Sequence, residues 1–315
     1  MSMVELTLVI PVKDEEAAIG PCLQRVVPVL EAIDDPVSRS FEILLVDDGS
    51  TDSTLDVMRQ AHAADPRVRG ISLSRNFGKE AALSAGLDAA RGKAVVPLDV
   101  DLQDPPEALP RMISQWRAGF DVVYGVRDNR ETDSLPKRLT ADLYYRAHNW
   151  LSSDKIPEHA GDFRLLDRKV VDVINRMPER NRFMKGLFAW AGFRQAAVSY
   201  HREERTVGRT KYNYWKLWTL AIDGITSAST VPLRVWSYLG AFVALGALGY
   251  AAYIIVRTLT TGIDVPGYAS LMVAILFLGG LQLLCLGVLG EYVGRILTET
   301  KGRPLYIVRE TIGGD

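Results

Sequence analysis

Two stretches of this chain, Val235–Val256 and Val265–Gly290, contain no Asp, Glu, Lys or Arg. They are 22 and 26 residues long, and as helices each can cross the roughly 30 Å hydrocarbon core of a bilayer. A single run of this kind would fit a buried core helix. Two in succession, separated by Arg257–Asp264, read as a transmembrane hairpin. Lys211, Lys216 and Arg234 precede the first run, and Arg295, Lys301, Arg303 and Arg309 follow the second, while the loop between holds only Arg257. The positive-inside rule then puts both flanks in the cytoplasm and the loop outside. Gly290-x-x-x-Gly294 and the set Gly240, Ala244, Ala247 permit close helix contacts, within one hairpin or between subunits. Neither run carries a charge in mid-bilayer, which argues against an ion or solute pathway.

Ahead of Val235 the chain reads as a water-soluble α/β domain. The whole chain's 37 Lys+Arg and 38 Asp+Glu give a formal charge of -1, which argues against a nucleic-acid binder. Cys22 lies in the soluble part and Cys285 in the second apolar run, so no disulfide joins them and no oxidised secreted scaffold is implied. The residues from Met1 to Ile10 lack a basic start and a long apolar core. No cleavable signal peptide is expected there, and the head is expected on the cytoplasmic side.

Short apolar runs at Leu6–Ile10, Glu42–Val46, Val68–Leu73 and Ala94–Leu98 predict buried parallel strands. Helical patterns separate them: Glu15–Leu30 with a break near Pro28, Ser53–Ala64, Lys79–Ala90 and Pro105–Arg117. This alternation predicts a doubly wound sheet. A fifth strand is expected at Asp121–Tyr124 and a helix near Val170–Arg176. No Gly-x-Gly-x-x-Gly follows the first strand and no Gly-x-x-x-x-Gly-Lys-Ser/Thr occurs, so neither a dinucleotide oxidoreductase nor a P-loop enzyme is supported.

Four polar clusters sit where such a sheet binds ligands, beyond the carboxyl ends of its strands. Pro11-Val-Lys-Asp-Glu15 follows the first strand and Val46-Asp-Asp-Gly-Ser50 the second. Their carboxylates can accept hydrogen bonds from a base or ribose; Asp47 and Asp48 could equally form a plain turn and helix cap. Asp99-Val-Asp101-Leu-Gln103 follows the fourth strand. Two carboxylates two residues apart on an extended backbone share a side and can grip Mg²⁺ or Mn²⁺ with the phosphates of a nucleotide. The alternative there is a helix cap before Pro105-Pro106. Arg75 and Lys79, in Leu73-Ser-Arg-Asn-Phe-Gly-Lys-Glu80, would flank the same crevice and hold phosphate oxygens, or else form surface salt bridges.

These clusters, with Gly161-Asp-Phe-Arg-Leu-Leu-Asp-Arg168, Arg182-Phe-Met-Lys-Gly-Leu-Phe188 and Tyr212-Asn-Tyr-Trp-Lys-Leu217, carry a resemblance over nearly the full chain. The head resembles the family 2, GT-A-type glycosyltransferases. The whole resembles the bacterial polyprenyl-phosphate glycosyltransferases, relatives of dolichol-phosphate mannose synthase, and most of all their bactoprenol glucosyl transferase subgroup. The resemblance implies a GT-A Rossmann-like catalytic domain with a mostly parallel sheet over residues 1–205 and amphipathic juxtamembrane helices over 206–234. Two transmembrane helices would occupy 235–294, with a cytoplasmic tail at 295–315. It implies inverting transfer of a hexose, glucose from UDP-glucose, to undecaprenyl or another polyprenyl phosphate at the bacterial inner membrane, with Mg²⁺ or Mn²⁺ as cofactor. Other donors (GDP-mannose, UDP-galactose, UDP-N-acetylglucosamine or a modified arabinose) remain open, as does a non-catalytic scaffold or a lipid-flipping partner. Positions matching Pro11, Glu15, Asp47 and Asp48 hold the nucleoside, and those matching Asp99, Asp101 and Gln103 hold metal and diphosphate. Asp162 matches a carboxylate that acts as base or orients the acceptor. Arg127, Arg130, Lys137, Arg138, Arg205 and Lys211 fall where cations gather around the acceptor phosphate and the lipid. The subgroup also implies a homo-oligomer, a tetramer.

The chain departs from the family pattern at Lys13-Asp14, where Tyr-Asn is usual, and at Val100, where Ala is usual. The Gln-x-x-Arg-Trp pattern of processive synthases is absent, which favours a single transfer. Lys137, Tyr144, Tyr145, Arg146 and Trp150, and again Tyr212, Tyr214, Trp215 and Trp218, form basic-aromatic runs suited to anionic headgroups or to packing between head and anchor.

Overall fold

Apolar strands covered on both faces form the centre of the head. The computed structural model describes residues 4–127, 160–201 apart from 181 and 183, part of 238–260, and 267–314. Strands β1 (Leu6–Val12), β2 (Phe41–Asp47), β3 (Val68–Leu73) and β4 (Ala94–Pro97) run parallel in the order β4-β1-β2-β3. Along β1, Leu6, Leu8, Ile10 and Val12 face one core layer and Val9 the other, the two-residue alternation of a strand buried on both sides.

Helices fill both layers. On one side lie α1 (Ile19–Glu31), α2 (Thr54–Ala64) and α4 (Leu109–Arg117), which bury Ile19, Cys22, Val26, Leu30, Met58, Met112 and Ile113. On the other lie α3 (Lys79–Ala89), α5 (Arg168–Arg176) and α6 (Met184–Trp190), contributing Ala82, Leu87, Val171, Ile174 and Phe188. The doubly wound arrangement predicted from the sequence is therefore present. The expected helix over Glu15–Leu30 begins only at Ile19 and runs through Pro28 to Glu31. Its buried face, Ile19, Cys22, Val26 and Leu30, holds it together across the proline.

The sheet has eight strands, in the order β7-β5-β6-β4-β1-β2-β3-β8. Strand β5 (Val122–Arg127) extends three residues past the expected Tyr124 and so carries Arg127 at its end. Strand β6 (Ala160–Asp167) pairs antiparallel with both β4 and β5, and β7 (Gln195–Tyr200) pairs parallel with β5. Neither β6 nor β7 is anticipated from the sequence. In β6, Phe163, Arg164, Leu165 and Leu166 are all buried, so no polar-apolar alternation marks it.

From Tyr268 onward the second apolar run lies in the long helix α7 (Tyr268–Thr300). Within it, Phe277–Thr300 is long and apolar enough to cross a membrane, and none of its apolar window is buried by protein. The described residues of the first run are helical, with Tyr238, Phe242, Leu245 and Tyr253 exposed. After α7 the chain returns to the head. Strand β8 (Val308–Ile312) adds antiparallel to β3, where a tail is expected from the sequence. Around it, Tyr306 meets Asp88 at 2.5 Å, Ser74 N donates to Ile307 O at 2.9 Å and Arg59 grips Glu310 at 2.7 and 3.2 Å.

Candidate active site

The polar clusters converge because β1 to β4 are parallel and end on one edge of the sheet. Beyond β1, Asp14 adopts a left-handed φ of 52°, a conformation that Asp and Asn tolerate better than most residues. Its carboxylate accepts from Thr51 N at 2.8 Å and pairs with Lys13 at 2.8 Å, while its own N–H donates to Ser50 Oγ at 2.9 Å. The loops after β1 and β2 are thereby stitched together. Glu15 N donates to Thr54 Oγ1 at 3.0 Å, at the start of α2.

The adjacent carboxylates after β2 hold the walls of the crevice. Asp47 is fully buried and accepts from Ser50 N at 2.8 Å and Ser72 Oγ at 2.7 Å. Asp48 accepts from Phe77 N at 2.7 Å and Gly78 N at 2.9 Å, and its burial pushes its carboxyl above the usual range. One carboxylate fixes the turn behind it and the other fixes the loop that opens α3. The turn alternative describes their protein contacts. The capping alternative does not: α2 begins at Thr54, its preceding residue Ser53 makes no side-chain capping bond, and Thr54 N donates to Asp52 rather than to Asp47 or Asp48. Arg75 is exposed, lies 4.1 Å over the Phe77 ring and donates to Asn76 O at 2.9 Å.

The loop after β4 carries the acidic pair. Lys79 Nζ lies 2.7 Å from Asp99 Oδ1 and 2.9 Å from Oδ2. Asp101 Oδ1 accepts from Gln103 N at 3.2 Å, and between them Leu102 is held at φ 54°. Asp14 and Leu102 are the two non-glycine residues with positive φ among the described residues, and both sit in loops that border the crevice. Backbone strain of this kind gathers where a loop must present side chains in one arrangement. The helix-cap alternative for this cluster fails, because neither the 3-10 turn Pro106–Ala108 nor α4 has a side-chain cap.

The donor chemistry of Asp99 and Asp101 fits a hard divalent cation, with the Gln103 side chain as a third oxygen source. Among the described residues no group of three or more His, Cys, Asp or Glu forms a self-sufficient metal cage.

The ends of β5 and β7 meet the loop after β4. Arg127 Nε lies 3.5 Å from the Tyr200 hydroxyl, which donates in turn to the buried Asp104 of the β4 loop. The sequence reading missed Tyr200 and Asp104. Asp104 lies in the quoted Asp99–Pro106 motif, but no local pattern points to its partner 96 residues away. Asp162 lies in the backbone of β6, and its side chain is outside what the structure describes. Arg130, Lys137, Arg138, Arg205 and Lys211 lie outside the described residues, as do both basic-aromatic runs. The structure thus brings together Pro11, Glu15, Asp47, Asp48, Arg75, Lys79, Asp99, Asp101 and Gln103 at the carboxyl edge of the four parallel strands, with Arg127 tied to the β4 loop through Tyr200 and Asp104.

Carboxylates gathered at the carboxyl edge of a doubly wound sheet, followed in the same chain by an apolar helix, fit a membrane-associated transferase class. Residues 7–174 match the model of glycosyl transferase family 2, and residues 231–296 match the GtrB C-terminal hairpin. The chain belongs to glycosyl transferase family 2 and has its GT-A fold. It is 51% identical over 310 residues to an uncharacterized glycosyltransferase of Synechocystis, covering 98% of this chain and 96% of that one. It is 49% identical over 311 residues to the SfII prophage-derived bactoprenol glucosyl transferase of Shigella flexneri, covering 99% of both. Among solved structures, a mannosyltransferase from Pyrobaculum calidifontis in complex with GDP-Man and Mn²⁺ matches with TM-score 0.48 and 18% identity, over 96% of this chain and 84% of that one. The apolar helix and the matched hairpin indicate membrane association.

Proposed function

We propose that this protein transfers glucose from UDP-glucose to undecaprenyl or a related polyprenyl phosphate, with inversion, to give a lipid-linked sugar for cell-envelope glycosylation. The observation that carries the reading is the 49% identity to a bactoprenol glucosyl transferase over 99% of both chains. The geometry agrees with it: acidic loops and Lys79 converge at the carboxyl edge of β1–β4, and an apolar helix follows in the same chain.

In this reaction a phosphate oxygen of the acceptor attacks the anomeric carbon, and the bond to the UDP oxygen breaks. The acceptor is a phosphate monoester, largely ionised near neutral pH, so proton removal is a minor task. Placing it in line and stabilising the departing diphosphate are the larger ones. Asp99, Asp101 and Gln103 would hold Mg²⁺ or Mn²⁺, which when bound supplies positive charge to the leaving diphosphate. Lys79 offers a second cation beside Asp99. Arg127, with Arg130, Lys137, Arg138, Arg205 and Lys211, would reduce repulsion between the two phosphate-bearing substrates. Asp162 orients the acceptor or the sugar in this reading. Loss of turnover in Asp162→Asn with donor binding kept, and a pH slope tracking a carboxylate, would instead restore a base role.

The head and both flanks of the hairpin lie in the cytoplasm, the arrangement given by the basic residues around the apolar runs, and the assembly is a homo-oligomer. The test is a transfer assay in detergent with undecaprenyl phosphate, Mg²⁺ or Mn²⁺ and a panel of UDP- and GDP-sugars. UDP-glucose is expected to give product, EDTA to abolish it, and Asp99→Ala and Asp101→Ala each to lower kcat by about a hundredfold or more. Activity that survives EDTA would sink the metal assignment, and product from another donor alone would reassign the sugar.

A further inference from the structure

The strand that follows the long apolar helix reaches the buried carboxylate at the end of β2. Neither family match includes it, since they end at residues 174 and 296. Pairing of β3 with β8 runs Gly70↔Ile312, Ile71↔Thr311 and Ser72↔Glu310, then jumps to Leu73↔Val308. Arg309 is therefore the extra residue of a β-bulge. Bulges twist a strand and re-aim a side chain, often beside functional sites. Here the half-exposed Arg309 side chain reaches back to the strand ends: its Nη2 donates to Ser72 Oγ at 2.9 Å and lies 3.9 Å from Asp47 Oδ2.

Both partners are wholly buried at the carboxyl ends of β2 and β3. A carboxylate without exposure needs a countercharge and fixed donors, and Arg309 supplies the first while orienting Ser72 as the second. The connection continues forward. Ser72 Oγ donates to Asp47 Oδ2 at 2.7 Å and Ser50 N donates to Asp47 Oδ1 at 2.8 Å. Asp14 N then donates to Ser50 Oγ at 2.9 Å. One hydrogen-bonded chain thus runs from β8 through β3 and β2 to the loop after β1.

We propose that Arg309 is a positioning residue for the nucleotide-sugar site, acting through Ser72 and Asp47 on the turn at residues 48–51. This rests on the donor-binding reading of that crevice. Arg309 does not touch the reacting atoms; it sets the loop that receives the donor, so its loss appears in KM more than in kcat.

The test uses the full-length protein in detergent and compares Arg309→Met, Arg309→Lys and Glu310→Gln. Glu310 is the control: it anchors the same strand through Arg59, away from Asp47. Arg309→Met is expected to raise the KM for UDP-glucose by about tenfold with kcat within about twofold. Arg309→Lys should recover part of the loss, and Glu310→Gln should leave KM unchanged. Hydrogen exchange of residues 47–54 in the donor-free protein supplies a readout that needs no turnover, expected to quicken in Arg309→Met and not in Glu310→Gln. Equal KM in Arg309→Met and wild type, or equal effects of Arg309→Met and Glu310→Gln, would overturn the proposal and leave β8 as an edge clamp only. If wild type transfers from none of the sugars tested, the donor reading fails, and the exchange comparison alone decides whether Arg309 holds the turn. If Arg309→Met does not fold, Arg309→Lys carries both measurements.

Discussion

Gly49 is held at φ 66°, and a Cβ there would lie 2.4 Å from the Arg75 carbonyl carbon and 2.6 Å from Asn76 N. Backbone atoms cannot swing aside as a side-chain tip can. Gly49→Ala therefore combines backbone strain with displacement of the loop that Asp48 holds, at a cost of about 1–3 kcal/mol. The expected outcome is a lower Tm together with weaker UDP binding by calorimetry. Asp14 makes a different prediction. Lys13, and after it the Thr51 amide, hold the Asp14 carboxyl down at about 2. A carboxyl that binds its proton more weakly folded than unfolded stabilises the fold above about pH 4, and that contribution is lost as pH falls toward about 2. Asp14 is one-third exposed, so solvent keeps the effect small. Asn tolerates the same left-handed φ, so Asp14→Asn removes the charge and keeps the backbone. The stability gap between wild type and Asp14→Asn should close across that acid range in thermal unfolding.

Helix α3 shows the same economy of space at the scale of an element. It crosses the sheet where a Cβ on Gly86 would come within 2.2 Å of Val9 Cγ1 and 3.2 Å of Val46 Cγ2. Overpacking costs about 1–3 kcal/mol, while Ala in place of Gly gains about 1 kcal/mol of helix propensity. Clash with two strands outweighs propensity, so Gly86→Ala should lower Tm, and Gly86→Val should lower it further. The core elements were legible because their apolar periodicity is local: α2 begins one residue from its predicted start, and α3 ends one residue from its predicted end. The acidic clusters were legible for the same reason, each following a readable strand. What sequence reasoning missed depends on distant partners. Strand β6 hides a buried arginine, with Arg164 placed over the Phe188 ring at 4.9 Å. Strand β8 is mostly exposed and pairs with residues more than 230 positions earlier. The positive φ of Asp14 and Leu102 belongs to loop closure, which no residue type announces.

At the scale of the whole molecule, head and apolar helix are joined twice: by the chain that leaves β7 and by the chain that returns as β8. Near the second junction, Arg180 N donates to the Glu299 carboxylate at 2.9 and 3.1 Å, where α7 ends. Strand β8 is hydrogen-bonded into the sheet that contains β1 and β7, so residues 201 and 308 occupy the same aqueous compartment. A path between two points on one side of a bilayer crosses it an even number of times. If α7 makes one crossing, the residues between β7 and α7 must make another, whatever their hydropathy. Reporter domains fused after Asp315 and inserted at residues 257–264 should therefore report opposite compartments. A result placing both on one side would mean that α7 lies along the membrane instead of through it. If α7 spans the bilayer, the parity of the anchor follows from the pairing of β3 with β8, far along the chain from the apolar runs.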